Sequence, residues 1–268
     1  MKRIALTVRA EAVEAVLDGL LPLLPQGVHP AEVADGVELA VYGSDLPERA
    51  ELEALAGDAL IAFAEDDAPV DLAERRRRFG HSWEVAGRIA IRAPDAPPAE
   101  SGLPELVIDS PAGAFGTGAH PTTRACLEML LDFEPAGGFA DLGCGAGVLA
   151  IAAAQMGFAP VFAIDHEARS VEATVHNAER NGVTLQALQL DLLTVDPPPA
   201  PTIAANMPPD VHRRVAARLA PDVVRVIVSG VTTEELDDVL AAYARAGLEP
   251  VDDRGGAWRT VLLERPRD

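Results

Sequence analysis

Apolar and polar positions recur along the chain with two different periods, and the changes of period mark its elements. Residues 3 to 8, Arg-Ile-Ala-Leu-Thr-Val, alternate as a strand does, and Ala10 to Leu24 then place Val13, Val16, Leu17, Leu20 and Leu21 at helical spacing. Val37 to Tyr42 reads as a second strand, Leu46 to Ala56, rich in Glu and Ala, as a second helix, and Leu60 to Ala64 as another short strand. Residues 1–65 are thus expected to form a small α+β module. From Glu65 to Arg78 the composition turns polar and ends in the run Arg75-Arg76-Arg77-Arg78, so residues 66–80 read as a linker. That run is either a solvated face or a binding element. Trp83 to Arg92 resumes the alternation of a strand, and Pro94 to Pro104 form a loop that ends at a strand over Leu106 to Ile108.

Beyond a helix at Arg124 to Leu131 the pattern settles into strict strand and helix alternation. Strands are expected at Phe139 to Leu142, Val161 to Ile164, Leu185 to Leu190, Thr202 to Ala205 and Val223 to Val228. Helices are expected at Val148 to Met156, Ala168 to Asn181, Asp210 to Leu219 and Thr233 to Ala246. Leu248 to Val251 and Trp258 to Leu263 close the chain as strands joined only by Asp252 to Ala257, so these two must run antiparallel. Residues 81–268 therefore read as an α/β domain with a mainly parallel sheet covered on both faces, where ligands sit at the carboxyl ends of the strands.

Composition narrows the classes of partner. The chain has 268 residues, 49% of them hydrophobic, which is material enough for two cores. Its 42 acidic against 22 basic residues give a net charge of −20, which opposes docking on a nucleic-acid backbone and leaves a basic protein partner or simple solubility as the reading. Cys126 and Cys144 form neither a CxxC pair nor a metal-ligand cluster, so no metal site is expected, and a reducing cytoplasm fits. Leu142 to Ile164 holds no charged residue, but four glycines, Pro160 and Gln155 divide it into a turn, a short helix and a strand rather than a membrane span.

The candidate chemistry starts at Asp141 to Gly147, Asp-Leu-Gly-Cys-Gly-Ala-Gly, between a strand and a helix. Glycines there let backbone N–H groups at a helix start approach a nucleotide-like ligand without Cβ interference. The spacing is GxGxG, and Val148 stands where the dinucleotide fingerprint requires glycine, which disfavours NAD. Asp165 closes the next strand 22 residues after Gly143, where a carboxylate can accept hydrogen bonds from both ribose hydroxyls of an adenosine. Asp191, after the third strand, is similarly placed for an adenine amino group.

Ahead of the sheet lies Ala114-Phe115-Gly116-Thr117-Gly118-Ala119-His120-Pro121-Thr122-Thr123, in which Pro121 sets a first helical turn and Thr122 or Thr123 can cap it or face a ligand carboxylate. The segment Phe115 to Thr123, the glycine turn, Asp165 and Ala205-Asn206 together resemble the ribosomal protein L11 methyltransferase family over about residues 105 to 264. The resemblance implies a ferredoxin-like α+β substrate-recognition domain, a linker and a class I, Rossmann-like methyltransferase domain. It implies S-adenosyl-L-methionine as cofactor, held by Thr123, Gly143, Gly145, Asp165 and Asn206, and methyl transfer to lysine or α-amine nitrogens of ribosomal protein L11. Phe115 and Asn206 are then candidates for positioning the acceptor.

In-line transfer of a methyl group to an amine needs alignment, a deprotonated nitrogen and exclusion of water, but no nucleophilic triad. Asn206 can serve the methionine part of the cofactor or the amine, and both roles stay open. The chain departs from the family at Asn206-Met207-Pro208-Pro209, where Asn-Ile-Leu-Ala is usual; two prolines remove two backbone donors at the lip of the site. That segment also resembles the Asn-Pro-Pro-aromatic signature of glutamine and nucleic-acid amino methyltransferases, out of register by one and with Asp210 in place of the aromatic. A binding module without turnover is the third alternative.

Overall fold

The computed structural model describes residues 2–9, 12–20, 23–24, 28–33, 35–43, 46–67, 83–99, 101–109, 121–256 and 258–266. Two compact units divide the chain at His81 and Ser82. The arginine run 75–78, Phe79 and the motif residues 114–120, Phe115 among them, lie outside the described residues.

The first unit runs β1 (Lys2–Val8), α1 (Val13–Leu20), β2 (His29–Val33), β3 (Gly36–Gly43), α2 (Arg49–Ala56) and β4 (Leu60–Asp67). Its sheet has the order β2-β3-β1-β4, antiparallel throughout. Alternation in β1 sends Ile4, Leu6 and Val8 into one cluster with Val16, Leu17 and Leu20 of α1 and Leu39 and Val41 of β3. The pattern of hydrophobicity missed β2, because Pro30 reads as a breaker; β2 is an edge strand, where a missing N–H is tolerated. The last strand also continues two residues past the expected boundary at 65.

The second unit opens with a three-stranded sheet of β5 (Trp83–Val85), β6 (Ile89–Arg92) and β7 (Glu105–Val107), in that order. Residues 83–92, expected as one strand, are a hairpin. Ala86 and Gly87 both take positive φ (53° and 62°), and Arg88 N donates to Val85 O at 3.0 Å. Ala86 is a rare occupant of that backbone region, so the turn left no sequence signal.

Helix α3 (Pro121–Leu131) leads into the main sheet, built from β8 (Phe139–Leu142), β9 (Val161–Asp165), β10 (Gln186–Gln189), β11 (Thr202–Asn206), β12 (Arg225–Thr232), β13 (Glu249–Gly255) and β14 (Trp258–Glu264). Between them run α4 (Val148–Met156), α5 (Ala168–Arg180), α6 (Pro209–Ala216) and α7 (Thr233–Arg245). The strand order is β10-β9-β8-β11-β12-β14-β13, parallel except that β14 runs against both its neighbours, as the short connection between Gly255 and Trp258 requires. Each face carries its own apolar cluster. Cys126, Leu127 and Leu130 of α3 and Ile151 of α4 belong to one with Phe139, while Val215 of α6 and Val239 and Tyr243 of α7 belong to the other with Leu142 and Val228. The first six residues of α4 are all buried, which explains its unbroken apolar sequence without a membrane. Among the described residues no helix is long and apolar enough to cross one.

Chain order reverses between β8 and β11, so the crevice at their carboxyl ends is the topological switch point where such sheets bind ligands.

Candidate functional site

Three glycines make the turn after β8. Gly143, Gly145 and Gly147 have φ of 79°, 53° and 85°, a region that side chains rarely adopt. A Cβ on Gly143 would lie 3.0 Å from Asn206 O, and one on Gly147 would lie 2.9 Å from Thr174 Oγ1 and Cγ2. Several of the turn's N–H groups already have partners inside the protein: Gly143 and Cys144 both donate to Ile164 O (2.8 and 2.9 Å), Gly147 to Cys144 O (2.8 Å) and Gly145 to Asp165 Oδ2 (3.0 Å). The glycines therefore contribute room and shape more than donors.

Asp141, at the end of β8, supplies what the sequence did not reveal. It is 1% exposed, its Oδ2 accepts the Ala150 N–H at 3.0 Å, and its Oδ1 has no hydrogen-bond partner among the described residues. Burial pushes the carboxyl up to about 7, and the Asp165 carboxylate adds to the effect. Asp141 lines a pocket with Thr123, Gly143, Gly145, Leu149 and Asn206. One carboxyl in the pocket thus keeps a buried oxygen without a partner among the described residues, and a second, Asp165, is near enough to act on it, an environment complementary to a cation.

Asp165, at the end of β9 and 9% exposed, is held by the N–H groups of Gly145 and Glu167 (3.0 and 2.9 Å), one on each oxygen, with exposed His166 Nδ1 3.4 Å from Oδ1. Each carboxylate oxygen can accept more than one hydrogen bond, so both keep capacity for a ligand hydroxyl. Asp191 is exposed, and its Oδ1 accepts the Leu193 N–H at 2.9 Å, which makes it a turn cap first.

Asn206 ends β11 and donates Nδ2 to Thr122 Oγ1 at 3.1 Å, tying the first turn of α3 to the sheet; Thr123, 3% exposed, faces the pocket instead. Gly230, which no sequence pattern singled out, sits at the irregularity in β12 with φ 79°, and a Cβ there would come within 2.8 Å of Asn206 Oδ1 and Met207 N. The Asn206 amide, held at Nδ2 and backed by Gly230, lines the crevice.

The two prolines after Asn206 have a local explanation. Pro208 is the N-cap of α6 and Pro209 its first residue, where an N–H has no intrahelical partner and the fixed φ suits the helix. Met207 N donates to Ser229 O at 3.1 Å. His212, one turn further along α6, is fully buried between Tyr243 OH (3.0 Å from Nδ1) and Ser229 O (2.8 Å from Nε2). Nε2 must carry the proton that goes to the carbonyl, so Nδ1 accepts from the tyrosine. Burial lowers the imidazole to about 4 and raises the Tyr243 hydroxyl well above its usual range, so both are neutral props. Burial likewise lifts Cys126 to about 12 and Cys144 well above the usual thiol range, so neither is a thiolate nucleophile.

A seven-stranded sheet in this order, with a glycine turn after its first strand in sequence and an acid closing the second, defines a class I methyltransferase fold. The family model described as ribosomal protein L11 methyltransferase (PrmA) matches residues 81–265, and the chain belongs to that family. It is 32% identical to the ribosomal protein L11 methyltransferase of Bordetella bronchiseptica over 261 residues, which cover 93% of this chain and 77% of the relative. It is 41% identical to that of Dechloromonas aromatica over 144 residues, 52% of this chain and 48% of the relative. Among solved structures, the ribosomal protein L11 methylase of Lactobacillus delbrueckii subsp. bulgaricus aligns with a TM-score of 0.60 and 27% identity, over 70% of this chain and all of that one.

Proposed function

We propose that the chain is an S-adenosylmethionine-dependent N-methyltransferase whose acceptor is ribosomal protein L11, modified on lysine or α-amino nitrogens. The observation that carries the cofactor reading is the buried Oδ1 of Asp141, without a hydrogen-bond partner among the described residues, beside a turn with glycine at 143, 145 and 147. A ligand with an ammonium group and ribose hydroxyls matches Asp141 and Asp165 respectively, so the residues present fit the group. In this reading Asp165 receives the ribose hydroxyls, Gly143 and Gly145 give room to the chain of the ligand, Asp141 meets its ammonium, and Thr123 and Asn206 meet its methionine end. Bound there, the cofactor supplies an electrophilic methyl group.

The protein's own part is to present a neutral amine. The strands at the crevice are buried on both faces, and a lysine brought against such a surface loses its proton more readily because burial disfavours the charged form. Asn206, held through Nδ2 by Thr122, has a fixed carbonyl with which to orient an amine N–H. The relatives' names and the −20 charge both support a basic ribosomal protein as acceptor. Titration of the purified chain with S-adenosylmethionine in a calorimeter tests the cofactor, and transfer of a labelled methyl group to purified L11 tests the acceptor. Absence of binding would remove the reading; binding with label only on another protein would remove the acceptor alone.

A further inference from the structure

Helix α5 has an unusual inward face. Ser170, Thr174 and Asn177 on it are 4%, 0% and 0% exposed, although each is polar. Buried polar groups need partners, and for Thr174 and Asn177 these are found on other segments. Thr174 Oγ1 donates to Gly145 O at 3.0 Å and lies 3.4 Å from Cys144 Sγ. Asn177 Nδ2 donates to Ala146 O (2.9 Å) and to Asp109 O (2.8 Å), while Asn177 Oδ1 accepts the Asp109 N–H (2.8 Å). Asn181, one turn on, pairs in the same two-way manner with Val107, Oδ1 accepting its N–H and Nδ2 donating to its C=O, both at 2.8 Å.

The two amides together imitate the edge of a strand against alternate residues 107 and 109, 68 to 74 residues away in sequence. The orientation of Asn177 is fixed by its neighbours, since exchanging O and N would set an amide against an N–H and an oxygen against two carbonyls. Asn181 reaches Val107 and, through Nδ2, Asn177 O at 2.7 Å, and makes no hydrogen bond to the glycine turn among the described residues. Asn177 also holds the glycine turn, so a single side chain locks Ala146 to Asp109, and Thr174 holds the turn one residue earlier.

We propose that Asn177 is a positioning residue of the candidate site, holding the glycine turn through Ala146 at a fixed distance from the 107–109 segment, after which the chain runs on to the 115–123 motif. The inference rests on the proposed cofactor reading for one of its readouts only. Asn177→Ser, Asn181→Ser and the unaltered full chain are compared for melting temperature, for S-adenosylmethionine dissociation constant by calorimetry, and for amide exchange in residues 143–147. Asn177→Ser is expected to weaken cofactor binding about tenfold, equivalent to about 1.4 kcal/mol, and to raise exchange in the turn, with the KM for the acceptor protein unchanged. Asn181→Ser is expected to lower the melting temperature comparably and leave both readouts at the wild-type value. Equal melting losses with wild-type binding and exchange in both variants would overturn the proposal. If Asn177→Ser does not fold, Thr174→Val carries the comparison, and unchanged exchange at 143–147 would again overturn it. If the unaltered chain fails to bind S-adenosylmethionine, the proposed function falls, while the exchange comparison still decides the role of Asn177.

Discussion

Replacing Asp141 by Asn is expected to make the protein more stable and a poorer binder at once. In the folded chain burial holds this carboxyl at about 7, against 3.8 for a free aspartate. The folded state therefore binds the proton more tightly than the unfolded state, and ionisation opposes folding. The associated stability is complete below about pH 4 and is lost as the pH rises to about 7. A shift of about three units at about 1.4 kcal/mol each sets a ceiling of about 4 kcal/mol on the penalty above that pH. Asn carries no charge and retains an oxygen for the Ala150 N–H. Asp141→Asn should thus melt higher than the wild type at about pH 8, by up to roughly 10 °C for a domain of this size, with the gap closing toward about pH 4. The same variant puts an amide where the free oxygen stood, so affinity for S-adenosylmethionine should fall by about 2 kcal/mol, or about thirtyfold. The assay is a melting series across pH for both proteins, with calorimetry on each. Melting curves that stay parallel across the range would show that the carboxyl is solvated or paired, and the argument from its unpaired oxygen would fail.

His212 titrates in the opposite sense. Its folded value of about 4 lies below the free value of 6.5, so the stability it contributes is present above about pH 6.5 and lost as pH falls toward 4. Relative to His212→Gln, the wild type should lose about 3 kcal/mol over that interval, measured by denaturant unfolding at each pH; a constant difference would contradict the burial argument. Because Asp141 and His212 act in opposite directions over one pH range, only the single variants separate them. Gly230→Ala places a Cβ 2.8 Å from Asn206 Oδ1 and from Met207 N at a positive φ. It should lower kcat for methyl transfer about tenfold or more by displacing Asn206; unchanged kcat would free Asn206 from any role in alignment.

Most elements of the main sheet were legible because its strands are buried on both faces or alternate cleanly, as at Val161–Asp165 and Trp258–Glu264. Where the reading failed, a local signal was ambiguous. Pro30 concealed an edge strand, and the left-handed Ala86 concealed a hairpin. The glycine turn, Asp165 and Asn206 were visible as motifs, but their partners were not. That Asp141 keeps one oxygen without a partner among the described residues, that Gly230 stands against Asn206, and that Asn177 joins Ala146 to Asp109 depend on contacts between residues far apart in the chain, which no local spacing encodes. The prolines after Asn206 looked like a change to the site and are first of all the start of α6.

Methyl transfer to ribosomal protein L11 is tested by incubating the purified full chain with S-adenosylmethionine carrying a labelled methyl group and with L11. Label on L11 and an increase of its intact mass in whole methyl units are expected. L11 of unchanged mass, under conditions where calorimetry shows the cofactor bound, would contradict methyl transfer to L11.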